Sequence, residues 1–148
     1  MATSIRVNHI GLAVADLERA RRFWTEAFDF RPVLELEPPD GPTSQLLGVA
    51  APVGLRAIYL RRDDFVLELL HFSAAGLHAR EPRVMNEPGL THLSLLVDDL
   101  EARLEKVREL GGTVVEESRL GDAAVLVLDP DGQRVELLTS WEKPGAPS

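Results

Sequence analysis

The chain repeats itself, and no other feature constrains its fold as much. Residues 8–18, NHIGLAVADLE, align with residues 91–101, THLSLLVDDLE, pairing His9 with His92 (92 − 9 = 83), Asp16 with Asp99 and Glu18 with Glu101. Further along, RDDFVLELL (62–70) aligns with PDGQRVELL (130–138), pairing Glu68 with Glu136 (136 − 68 = 68), and AIYL (57–60) falls on VLVL (125–128). The two offsets differ by 15 (83 − 68), so the first copy carries an insertion. Its place is Glu37 to Gly54, EPPDGPTSQLLGVAAPVG, where the density of Pro and Gly reads as loop.

Within each copy the hydrophobic period changes in the same order. Ile5 to Val14 alternates as a strand, with Ile10, Leu12 and Val14 on one face and Val7, His9 and Gly11 on the other. A helix follows, capped by Asp16, with Leu17, Ala20, Trp24, Ala27 and Phe28 on one stripe; Trp24 reads as core or dimer packing. In the second copy Asp98 or Asp99 caps a stripe of Leu100, Leu104, Val107 and Leu110, and Gly111-Gly112 stops the helix. Three strands come next in each copy, near 31–36, 56–61 and 65–72, then 113–117, 122–129 and 133–139. The last two are joined by Asp129-Pro130-Asp131-Gly132, a favourable turn sequence.

Each copy is therefore βαβββ, too small to bury its own sheet and helix. The expected fold is α+β: two tandem βαβββ modules forming an eight-stranded curved mixed sheet, a cup with helices on the outside. The expected organisation is a single domain over 1–148, with module 1 at about 5–72, a connection at 73–89, module 2 at about 90–140 and a tail at 141–148. His78, Arg80, Arg83 and Met85 fall in the connection, which reads as a solvated loop, with a cover binding substrate carboxylate or phosphate as the alternative.

Composition narrows the function. A net charge of −8, with no run of Lys or Arg to track a phosphate backbone, argues against nucleic acid and anionic membranes and for a small-molecule substrate. The absence of cysteine removes disulfides, thiolate metal sites and thiol nucleophiles. With no apolar leader at the start and no membrane-length apolar run, the expected location is cytoplasmic.

Four residues carry the chemistry. Glu68 shares its strand face with the apolar Val66 and Leu70, and Glu136 repeats that situation, whereas an unpaired carboxylate on such a face is costly to bury. Alone, each Glu would read as solvated and each His as a satisfied histidine. Duplication changes that reading: His9, Glu68, His92 and Glu136, all expected at mid-strand, form a set able to converge on one ion as the copies pair. Two nitrogens and two oxygens without sulfur suit one divalent ion per site, Ni, Co, Mn, Zn or Fe, with Mg²⁺ also compatible and open positions left for substrate. Such an ion would stabilise an enolate while Glu68 or Glu136 moves the proton.

The segments HIGLAVADLERARRFW, FVLELL, GLTHLSLLVDDLEA and DPDGQRVELL resemble the vicinal oxygen chelate superfamily, which includes glyoxalase I, methylmalonyl-CoA epimerase, extradiol dioxygenases and bleomycin- and fosfomycin-resistance proteins. The likeness runs from Val7 to Ser140 and implies metal ligands at His9, Glu68, His92 and Glu136, with Glu68 and Glu136 catalytic. It implies a metal-dependent lyase or isomerase of the glyoxalase or epimerase kind acting on a small oxygenated substrate, and a homodimer. Glutathione-dependent glyoxalase I is the poorer match, because Ala13 stands where an Arg is common. Two alternatives remain open. One is an Fe(II) extradiol-type dioxygenase using His9, His92 and Glu136, with His71, His78 and Tyr59 as acid–base candidates; the other is a metal-free ligand-binding protein of the bleomycin-resistance kind.

Overall fold

A computed structural model describes residues 4–141 and 143–145; residues 142 and 146–148 of the expected tail lie outside the described residues. The chain divides into two compact units. One runs to Thr25 and resumes over Asp29–Ala79, and the other comprises Glu26–Phe28 and the chain from Arg80 onward.

The first unit holds β1 (Ile10–Ala13), most of α1 (Leu17–Phe28), β2 (Arg31–Leu36), α2 (Asp40–Leu47), β3 (Leu55–Arg62) and β4 (Phe65–Phe72). Its sheet has the order β1-β4-β3-β2, with β1 parallel to β4 and the other pairs antiparallel. Asp16 caps α1 as expected, its carboxylate accepting from Arg19 N at 2.9 Å. The stripe Leu17, Ala20, Trp24, Ala27 and Phe28 is buried, joined by Phe23. Trp24 packs edge-on against Phe23 and Phe30, and Phe30 against Phe65, so helix and sheet share an aromatic cluster. Ile58, Leu60, Leu67 and Leu69 supply the inner face of the sheet.

The insertion departs from the expected loop, because α2 forms in its middle. Pro39 stands at the N-cap and Pro42 in the first turn, where a missing N–H loses no helical bond. Thr43 Oγ1 donates to Pro39 O at 2.8 Å, and Gly48 ends the helix at φ +67°. The Asp40 carboxylate accepts from Val53 N at 3.1 Å and Gly54 N at 2.9 Å, which ties the far end of the insertion to the helix start. Here Pro and Gly mark the ends of a helix, not the lack of one.

The second unit holds β5 (Leu93–Leu96), α3 (Leu100–Glu109), β6 (Thr113–Leu120), β7 (Ala124–Leu128) and β8 (Arg134–Leu138). The sheet order β5-β8-β7-β6, with β5 parallel to β8, reproduces the first. Asp99 is the cap of α3, accepting from Ala102 N at 3.1 Å, and Leu100, Leu104 and Val107 are buried. Asp129 Oδ1 accepts from Asp131 N at 2.9 Å and Gln133 N at 2.8 Å, holding the turn before β8. The architecture is α+β, two tandem βαβββ modules whose eight strands form two four-stranded mixed sheets. Among the described residues no helix is long and apolar enough to cross a membrane.

Two further expectations are corrected. The first strand begins at Ile10, not Ile5, since its ladder with β4 starts at the pair Ile10↔Leu67, and Ile5 (93% exposed) and Val7 (89%) lie in solvent. His9 and His92 therefore sit just ahead of β1 and β5 instead of mid-strand. The match of AIYL to VLVL is one residue out of step. Tyr59 lies opposite Glu68 and Leu126 opposite Glu136, an offset of 126 − 59 = 67, because the β7–β8 turn is longer than the Asp63-Asp64 turn.

Candidate metal centre

In the first module Glu68 occupies the centre of β4, between Gly11 on β1 and Tyr59 on β3. Its Oε1 accepts from the Tyr59 hydroxyl at 2.7 Å, and its Oε2 lies 3.0 Å from His9 Nε2. The His9 ring stands edge-on to Tyr59, with centroids 5.2 Å apart. The side-chain oxygen of Asn8 lies 2.5 Å from His9 Nδ1, on the ring nitrogen that does not face Glu68. Gly11 keeps the approach clear: a Cβ there would stand 2.9 Å from Leu70 Cδ1 and 3.7 Å from Glu68 Oε2. Burial, then the hydrogen bond and charge of Glu68, push the Tyr59 phenol up to about 12, so it stays a protonated donor at neutral pH.

The second module repeats the pair more loosely. His92 Nε2 lies 3.7 Å from Glu136 Oε2, and the Glu136 side chain is 32% exposed where that of Glu68 is 12%. The hydroxyl on this carboxylate comes from Ser94 of β5, which donates to Glu136 Oε1 at 2.8 Å. The Thr91 hydroxyl lies 2.8 Å from His92 Nδ1, at the position equivalent to Asn8 (91 − 8 = 83).

The structure thus brings the four sequence-identified residues together as two pairs, His9 with Glu68 and His92 with Glu136. Among the described residues no group of three or more His, Asp or Glu side chains is gathered as a metal site. The donor chemistry of each pair nonetheless fits a divalent ion: an imidazole Nε2 beside a carboxylate oxygen, each group oriented on its far side by a polar neighbour. Asn8, Tyr59, Thr91 and Ser94 are what sequence reasoning missed as orienting groups. The duplication carried a signal for two of them, since a polar side chain directly precedes each His.

Other candidates have plainer roles. His71 faces away from Glu68 by strand parity, its Nδ1 lying 3.3 Å from Val14 O. Arg83 donates to the carbonyls of Glu87, Pro88 and Leu90, which makes it a brace of the connection. His78 and Arg80 are exposed in that same segment.

A family model described as the Glyoxalase/Bleomycin resistance protein/Dioxygenase superfamily matches residues 6–137. Among solved structures, a glyoxalase family protein from Bacillus cereus is similar at a TM-score of 0.80 and 14% identity, over 95% of this chain and 97% of that one. The trypanothione-dependent glyoxalase I of Leishmania major is similar at 0.67 and 21%, over 92% and 87%. A fosfomycin resistance protein from Mesorhizobium loti is similar at 0.59 and 20%, over 94% of each chain. At these identities the likeness is one of fold. No curated protein matches the chain.

Proposed function

We propose, because the chain belongs to the glyoxalase/bleomycin resistance protein/dioxygenase superfamily, that it is a divalent-metal-dependent enzyme which moves a proton on a small oxygenated substrate. The observation that carries this reading is the recurrence of a His–Glu pair, Nε2 facing Oε2, at matched positions of both modules. His9, Glu68, His92 and Glu136 are the ligands in this reading, two from each module, taken from one chain or from two copies of a homodimer. A bound divalent ion would draw electron density from a substrate carbonyl or pair of neighbouring oxygens and so acidify the adjacent C–H.

The chain's own residues divide the remaining work. With an ion bound, Asn8 would accept from His9 Nδ1 and so hold the ring in the tautomer that gives Nε2 to the ion. Glu68, buried and fixed by Tyr59, is suited to stay a ligand. Glu136 is the more exposed and the more loosely placed carboxylate, and it is the better base. It would take the proton from the carbon next to the substrate carbonyl and return it to the former carbonyl carbon, or to the other face of the same carbon, giving a lyase or isomerase of the glyoxalase or epimerase kind.

Elemental analysis of protein purified without chelator tests the reading. The expected result is close to one equivalent of a divalent metal per site, lost in His9→Ala and His92→Ala. Less than about a tenth of an equivalent, with no uptake of added Mn²⁺, Co²⁺, Ni²⁺ or Zn²⁺, would overturn it. Oxygen uptake with catechols would instead direct the function to ring-cleaving dioxygenation through His9, His92 and Glu136.

A further inference from the structure

We infer that Tyr59 and Ser94 are positioning residues of the metal centre: each gives one hydroxyl hydrogen bond to one oxygen of its carboxylate, and so selects the oxygen of Glu68 or Glu136 that is left to bind the ion. The inference rests on the four-ligand reading above. A carboxylate has two equivalent oxygens, and a ligand that uses either or both occupies several geometries. A donor fixed on one of them removes that choice. Tyr59 takes Oε1 of Glu68 at 2.7 Å and Ser94 takes Oε1 of Glu136 at 2.8 Å, and in both pairs Oε2 is the atom that faces His Nε2.

The placement of the two hydroxyls carries the argument further. Each carboxylate strand has a neighbour on either side, β1 and β3 around β4, β5 and β7 around β8. In the first module the hydroxyl comes from β3, and β1 offers Gly11 opposite Glu68. In the second it comes from β5, and β7 offers Leu126 opposite Glu136. A hydroxyl inherited by duplication alone would stand at the same position in both copies. Here it is supplied from opposite sides and reaches the same result, one carboxylate oxygen held by a hydroxyl and the other facing the histidine. That points to a requirement on the carboxylate itself.

The test is Co²⁺ titration of the full-length Tyr59→Phe and Ser94→Ala variants, read by binding affinity and by the visible absorption of bound Co²⁺. Each variant should lose about 10- to 100-fold in Co²⁺ affinity, with an altered Co²⁺ band. Ser94→Thr, which keeps the hydroxyl, should bind as the wild type does, and this rescue separates positioning from a general loss of fold. Affinity within about twofold of wild type and an unchanged band in both variants would overturn the inference while leaving the four ligands standing. A wild-type protein that takes up no Co²⁺ would overturn both together.

Discussion

The two modules repeat one core pattern and differ at their carboxylates. Both have the same sheet order, the same Asp-capped helix and a fully buried leucine beside the acidic residue on the last strand, Leu69 in one and Leu137 in the other. Yet Glu68 is closed in by Tyr59 and held 3.0 Å from its histidine, whereas Glu136 is more open and lies 3.7 Å from its own. Packing constrains both copies alike, because each has the same helix to cover. Under the proposed four-ligand reading a single ion would suffice, and the two carboxylates would then be free to specialise as anchor and base.

The largest effect should come from breaking that division. In the proposed reading, Glu136→Gln should lower kcat by about 10²- to 10⁴-fold on any carbonyl substrate the wild type turns over, the loss expected of a missing general base, while most of the metal stays bound. Glu68→Gln should act chiefly on metal content, since an amide has one oxygen and cannot both accept from Tyr59 and give an oxygen to the ion as the carboxylate would. Steady-state kinetics beside elemental analysis of both variants checks this. The reverse pattern would exchange the two roles.

The cores should answer the other way, with the same cost in both modules. Leu69 lies between Leu12 and Ile58, and Leu137 between Leu95 and Val125; both leucines are 0% exposed. Leu69→Ala and Leu137→Ala should each destabilise by about 2–5 kcal/mol, from lost burial and the cavity left behind. Urea denaturation measures it. A cost confined to one module would mean that the duplication of the fold does not extend to its energetics.

The same contrast explains what the sequence revealed. Strand and helix periods and the caps Asp16 and Asp99 were legible because they depend on local pattern, and the repeat singled out the residues that the structure brings together as two His–Glu pairs. The start of β1 was not, because alternation continues back through Val7 to Ile5 although the ladder with β4 does not. Nor was α2, because Pro39 and Pro42 break a helix interior but suit a helix start, and only the position of the helix decides between them. Tyr59 was visible as a residue but not as the partner of Glu68. That pairing is set by the length of the intervening turn, and the equivalent turn in the second module shifts the register by one.

The smallest predicted effect is the sharpest test of whether the modules hold equivalent solutions. Gly11 is the counterpart of Ser94 (94 − 11 = 83) and lies beside Glu68 as Ser94 lies beside Glu136. A Cβ at position 11 would meet Leu70 Cδ1 at 2.9 Å, and that atom is the end of a side chain able to turn away. Gly11→Ser placed in the Tyr59→Phe background would move the hydroxyl from β3 to β1 and give Glu68 the arrangement Glu136 already has. Co²⁺ affinity should recover severalfold, on the order of the 1 kcal/mol a single hydrogen bond contributes. No recovery would show that the direction from which the hydroxyl arrives matters as much as its presence. The looser pair of the second module would then be a distinct site design, and only the cores of the two modules would remain true copies.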